Sequence, residues 1–153
     1  MTVTVPPEIV AALAGWPRVG SWEPMFPLLS VDGSGFPHVC LLSRAELQAD
    51  ARYVYAVLAS STTVGNLRRS RAATLLVVLG DSARYLKVRV VHIGEPKPAE
   101  VVFEVVTAAR DSLDIRLTPP QYLVADSLPV TEAWDRSAEL LTALAERFSD
   151  GRS

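Results

Sequence analysis

Apolar residues along this chain fall into short, strand-length runs, and helical spacing of apolar positions is clear only near the two ends. Residues 26–31 and 36–43 are two such runs, separated by Asp32-Gly33-Ser34-Gly35, a combination that predicts a hairpin. Its glycines invite comparison with a phosphate loop, but no helix start follows them. A polar connection over 44–52 leads to a third strand at 53–59. Residues 72–79 form a further strand, 80–82 a turn, and 84–93 a long strand. In that strand Leu86, Val88 and Val90 take one face, and Tyr85, Lys87 and Arg89 the other. Pro96-Lys97-Pro98 then breaks the chain. Over 100–110, Val102, Val106 and Ala109 would suit a helix, but the β-branched content favours a strand. Leu113, Ile115 and Leu117 alternate ahead of Pro119-Pro120, and 121–125 reads as a last short strand.

Helices frame this β-rich middle. Pro6, Pro7 and Glu8 suit a first helical turn and Gly15 a stop, so a short helix is expected over 6–14. An irregular arm with Trp16, Trp22 and two prolines follows. Ser60-Ser61-Thr62-Thr63 supplies N-caps for a helix over 63–70, which Gly65 weakens. Thr131 is positioned to cap a C-terminal helix over 131–148, with Trp134, Ala138, Leu141, Leu144, Ala145 and Phe148 on one stripe. Residues 150–153 should fray. Strands joined by hairpins, without alternating helices, predict an α+β, mainly antiparallel barrel.

The 153 residues suit a single domain, with a core over about 25–125 and the C-terminal helix beside it. With 49% hydrophobic residues the chain can build a real core. Fifteen basic residues against 17 acidic leave a formal charge of −2, which argues against nucleic acid as a partner. A single cysteine, Cys40, excludes an internal disulfide framework and a multi-cysteine zinc site. No apolar run is long enough to span a membrane, and the N-terminus lacks a signal-peptide pattern. The expectation is a soluble, cytoplasmic protein.

The hydroxyl cluster at 60–63 is the most informative stretch. Free backbone N–H groups at a helix start, surrounded by hydroxyls, form a natural receptor for phosphate. Arg68, Arg69 and Arg71 follow and could add charge-assisted contacts; the ordinary alternative is N-capping with a solvated basic face. Lys87 and Arg89 share a strand face and need anionic partners or water. Pairing of 72–79 with 84–93 would bring them toward the hydroxyl turn. His38 and Cys40 share a face of their strand, and the simplest reading is a buried thiol beside a pocket-lining or hydrogen-bonded histidine. No set of metal ligands has suitable spacing, although His38 or His92 could in principle ligate haem iron. Motifs of the common hydrolases, nucleotide triphosphatases and dinucleotide-binding folds are absent. Asp111-Ser112-Leu113-Asp114 reads as a turn at a strand edge.

Taken in order, these motifs resemble the pyridoxamine 5′-phosphate oxidase-like, FMN-binding split-barrel family. Residues 26–43 resemble its opening hairpin. Residues 54–59, then Ser61-Thr62-Thr63 and Asn66-Leu67, resemble its strand, phosphate turn and short helix. Residues 72–78 and Tyr85-Leu-Lys-Val-Arg89 resemble the two strands that follow. The likeness covers about residues 25–95 well and the remainder loosely.

The resemblance implies a six-stranded split barrel that forms a homodimer, with two flavin sites at the subunit interface. By position, His38, Val39, Cys40 and Leu41 would run alongside the isoalloxazine ring, with Val57 near it. Ser61, Thr62 and Thr63 would surround the phosphate, Asn66 would belong to the same helix-start site, and Lys87 and Arg89 would face the cofactor. Family oxidases usually carry Arg-Lys where this chain has Thr62 and Thr63, and often Arg where it has His38. Arg68, Arg69 or Lys87 would have to compensate. The implied function is an FMN-dependent oxidoreductase acting on a small organic substrate, with the deazaflavin F420 as an in-class alternative cofactor. The rivals are a non-catalytic module holding flavin, deazaflavin or haem, and a structural dimer without ligand.

Overall fold

The computed structural model describes residues 2–14, 20–95, 98–112 and 114–149. In chain order the elements are α1 (Pro7–Leu13), β1 (Trp22–Pro24), β2 (Phe26–Val31), β3 (Pro37–Leu42), β4 (Leu47–Ala49), β5 (Tyr53–Leu58), α2 (Ser61–Ser70), β6 (Ala72–Leu79), β7 (Ser82–Ile93), β8 (Ala99–Ser112), β9 (Gln121–Leu123), α3 (Leu128–Thr131) and α4 (Trp134–Ser149). Seven strands form one antiparallel sheet in the order β3-β2-β6-β7-β8-β5-β4, and β1 pairs with β9 in a separate ribbon. The sheet curls into a half-barrel, so the α+β, mainly antiparallel architecture is as expected.

Local chemistry sets the turns. The β2–β3 hairpin is closed by Asp32, whose Oδ1 accepts the N–H groups of Ser34 and Phe36 at 2.9 Å each. Gly35 has φ +87°, a value that side chains disfavour. Gly80, at φ +59°, turns β6 into β7. The β7–β8 ladder runs from Ser82↔Ser112 to Ile93↔Val101, with irregularities between Lys87 and Val88 and between Val90 and His92. Such bulges add twist, which helps the sheet curl.

The inner face is closed by the N-terminal segment. Val5, Ile9 and Leu13 share one cluster with Leu28, Val54, Leu75, Val77, Leu86, Val88 and Phe103 from the strands. Bonds from Val3 N to Val105 O and from Val5 N to Ala51 O, both 2.9 Å, stitch this segment to the sheet. Glu8 pairs with Arg84 at 2.6 Å. A second cluster lies on the outer side, where Tyr55, Val57 and Val102 meet Leu141, Leu144 and Phe148 of α4. β5 is therefore buried on both faces along most of its length.

Several boundaries differ from expectation. The helix expected over 63–70 starts at Ser61, because Ser60 is its cap. Thr131 ends α3 and does not cap the C-terminal helix; α3 starts at Leu128 with Pro129 in its first turn, and Ala133, at φ 50°, separates it from α4. Ser137 takes the buried place on α4 expected for Ala138. The polar connection over 44–52 contains β4, and the irregular arm contains β1; both are three-residue strands, too short to show a period. Ile115 and Leu117 lie outside any strand, and Asp111 and Ser112 still belong to β8. Gly15, Trp16, Pro96, Lys97, Leu113 and residues 150–153 fall outside the described residues.

Leu144 is 2% exposed in the outer cluster, so Leu144→Ala should lower unfolding stability by about 2–5 kcal/mol in urea titrations. A pH dependence comes from His92, whose ring centroid lies 5.3 Å from that of Phe148. Burial holds its pKa below the usual 6.5; the charges of Arg147 and Arg71 add to this, and Glu100 opposes it. The unfolded chain therefore binds the proton more readily. The stability His92 contributes is complete above 6.5 and is lost as pH falls through the lowered folded value. Urea midpoints should fall more steeply, as pH drops from 6.5 to that lowered value, in the parent protein than in His92→Gln.

Candidate functional site

At the end of β5 the chain turns through Ala59 and Ser60 into α2. Ser60 Oγ accepts from Thr63 N at 3.2 Å and from Thr63 Oγ1 at 3.0 Å, and Ser60 O accepts from Val64 N at 3.0 Å. First-turn amides have no acceptor inside their own helix. With those of Thr63 and Val64 taken, the amides and hydroxyls of the exposed Ser61 and Thr62 remain for an outside acceptor. Thr63 is fully buried. Its hydroxyl sits beside Cys40, whose thiol is pushed up by burial more than Thr63 pulls it down.

Farther along α2, Asn66 ties the helix to the sheet. Its Nδ2 donates to Ser30 Oγ at 3.0 Å, while Arg69 donates to Asn66 Oδ1 and to Val31 O, both at 2.9 Å. Arg68 pairs with Glu95 at 3.1 Å. Arg71 ends the helix at φ 60° and donates to Val90 O at 3.4 Å. All three arginines expected to support an anion thus have partners within the chain.

The outer sheet face is different. Register places Val39, Leu29, Thr74 and Lys87 in one row across β3, β2, β6 and β7, and Arg89 opposite Ala72. Val39 is 51% exposed and Leu41 55%. A groove of about 380 Å³ is lined by Leu29, Val31, Pro37, Thr74, Lys87 and Arg89, among others. Among the described residues neither cation makes an ion pair.

The expected pairing of β6 with β7 is present, and it brings Arg89 to the C-terminal end of α2. A ten-residue helix is about 15 Å long, so Ser61 and Thr62 stand at the far end. There Ser61 lines a separate hollow of about 220 Å³ with Gly65 and Arg68. The other candidates are also dispersed. His38 and Cys40 alternate with the outward Val39 and Leu41 and are half-buried. Thr63 and Asn66 are buried under α2, and Val57 is buried beneath α4.

Sequence reasoning missed a polar cluster around the β3–β4 turn. Ser43 N and Oγ donate to Glu46 Oε1 at 3.1 and 2.8 Å. The spacing Ser43-x-x-Glu46, a capping-box pattern, was the available signal. Burial pushes the Glu46 carboxyl up, the Ser43 bonds oppose this, and the charge of Glu132 adds to the rise. Beside it, Glu23 is 4% exposed and holds Arg44 in a two-point ion pair, at 2.6 and 3.1 Å. Burial also raises the Tyr122 hydroxyl, which bonds with Ser43.

Solved structures with the same fold are distant in sequence. The protein HupZ from Group A Streptococcus superposes with a TM-score of 0.55 at 11% identity, covering 74% of this chain and 99% of that one. A putative pyridoxamine 5′-phosphate oxidase from Lactobacillus delbrueckii gives 0.51 at 14% identity, covering 71% and 98%. An FMN-binding protein from Syntrophomonas wolfei gives 0.50 at 16% identity, covering 57% and 77%. No family model and no curated protein matches the sequence. The chain has the split-barrel fold of the pyridoxamine 5′-phosphate oxidase-like proteins. No helix among the described residues is long and apolar enough to cross a membrane.

Ser60→Ala should cost about 1 kcal/mol of stability through loss of the cap. Asn66→Ala, which removes the partner of the buried Ser30 hydroxyl and leaves Arg69 with Val31 O alone, should cost about 1–3 kcal/mol. Urea unfolding of the two variants measures both.

Proposed function

We propose that this protein is a homodimeric flavin-binding oxidoreductase, with FMN held between two copies and a small organic molecule as substrate. The observation that carries this reading is the outer sheet face, where exposed apolar side chains surround a groove holding two cations, Lys87 and Arg89, that make no ion pair among the described residues. Such a face suits a second copy, and the cations suit a phosphate or another anionic group of a bound cofactor. Within one chain the cations and the open amides of Ser61 and Thr62 lie at opposite ends of α2, so a second copy is the natural way to unite them. The likeness to an FMN-binding protein supports a flavin through the shared fold alone.

Bound flavin would supply the hydride and electron transfer. The protein's part is to hold the phosphate, exclude water with the apolar strand residues Val39 and Leu41, and orient the ring along β3. A non-catalytic flavin-binding module is the second reading. It is favoured by Thr62 and Thr63 standing where related oxidases carry basic residues, and by Thr63 and Asn66 being engaged inside the chain.

The test is a visible spectrum of the protein after addition of FMN and desalting. A retained two-banded flavin spectrum near one per chain supports the proposal, and Lys87→Ala and Arg89→Ala should each weaken FMN binding roughly tenfold. Retention of F420 but not FMN would shift the cofactor to the deazaflavin, and a sharp Soret band would replace both with haem. A folded protein that stays colourless with all three would overturn the proposal. Oxidation of a reduced nicotinamide with a dye acceptor separates the enzyme from the binding module.

A further inference from the structure

The outer sheet face sets two demands against each other. Val39, Leu41 and Tyr85 stand exposed on it, and a second copy laid over them removes apolar surface from water. Lys87 and Arg89 project from the same face, alternating with the buried Leu86, Val88 and Val90. Lys87 lies between Thr74 and Thr107 of the neighbouring strands, and Arg89 between Ala72 and Glu104. Although Glu104 is opposite Arg89 in register, no ion pair joins it to either cation among the described residues. The groove that the two cations line is otherwise walled largely by apolar residues, Leu29, Val31, Pro37 and Val106 among them. A cation stripped of water without an anion beside it opposes the burial that strips it. In a two-fold pairing each copy brings the same cations to the interface, so the opposition is doubled. Cover for this face is therefore favourable at Val39 and Leu41 and unfavourable at Lys87 and Arg89, unless an anion enters with it.

We propose that assembly through this face is ligand-controlled: Lys87 and Arg89 oppose pairing of the flavin-free chains, and a phosphate-bearing ligand held by them drives two copies together. The inference rests on the reading of this face as the seat of a flavin between two copies, and adds how that seat regulates assembly. Coupling of this kind is mutual. The factor by which the ligand tightens the dimer is the factor by which the dimer tightens the ligand. Ligand affinity therefore rises with chain concentration until the dimer is complete. A ligand with the same ring system but no phosphate offers no counter-charge and couples weakly. Salt acts in opposite directions on the two forms, screening the cations of the flavin-free pair and weakening the charged contacts of the liganded one.

Sedimentation equilibrium over a dilution series gives the dimer dissociation constant of the full chain alone, with FMN, with riboflavin and with inorganic phosphate. FMN is expected to lower that constant at least roughly tenfold, and riboflavin about threefold or less. Lys87→Gln and Arg89→Gln remove charge from exposed positions. Each should tighten the flavin-free dimer roughly threefold to tenfold while shrinking the effect of FMN. Urea midpoints show first that both variants fold; if one does not, the other carries the comparison. A dissociation constant that FMN leaves unchanged, or neutral variants that pair more weakly than the parent, would overturn the inference. The arms also separate it from the flavin reading. FMN bound to a dimer that it does not tighten refutes the linkage alone. Neutral variants that pair more tightly, with inorganic phosphate tightening the parent and FMN not bound, refute the flavin reading alone. A chain that stays monomeric in every arm refutes both.

Discussion

β5 is buried on both faces because α4 lies over its outer side, while β3, β2, β6 and β7 receive cover on their inner side alone. A curled sheet needs both faces shielded wherever both carry apolar residues, at roughly 25 cal/mol for each Å² of apolar surface removed from water. This chain provides α1 for the interior and α4 for one end of the outer face. Val39, Leu41, Tyr85 and Val91 are left standing in solvent. The uneven cover is the constraint behind the rest of the account, because the uncovered region is also where Lys87 and Arg89 lie.

The same constraint explains how the two ends of α2 come to differ. Its buried side, Thr63, Val64, Asn66 and Leu67, closes the barrel, and its polar groups on that side bond within the chain. Only its exposed start, at Ser61 and Thr62, keeps amides for an outside acceptor. Structural duties, and the ligand-binding ones proposed for Ser61 and Thr62, are therefore divided along one short helix. The basic residues near its end stabilise the fold through Val31 O, Val90 O and Glu95.

Much of the fold was legible in the sequence because long strands write their period clearly. Leu86, Val88 and Val90 alternate with Tyr85, Lys87 and Arg89 as their burial requires, and the β-branched run over 100–110 is a strand despite its helical spacing. Short elements were not legible. β1 and β4 have three residues each, and the break between α3 and α4 depends on the positive φ of Ala133, which has no sequence signature. The candidate site was legible as residue types but not as an arrangement. Spacing places Thr63 and Asn66 beside Ser61, but only the packing of α2 shows that the first two point inward. The polar cluster around Glu46 escaped notice because Glu23, Arg44, Glu46 and Tyr122 come together from segments far apart in the chain.

The central claim is that the uncovered sheet face and its cations are completed by a second copy and a flavin together. Sedimentation velocity of the protein with FMN, recorded at both protein and flavin wavelengths, tests it most directly. The account predicts flavin absorbance moving in one boundary with a species of twice the chain mass, and Leu41→Asp moving both signals to the monomer and free-flavin positions. Flavin travelling with a monomer, or a stable dimer that leaves all the flavin behind, would contradict it.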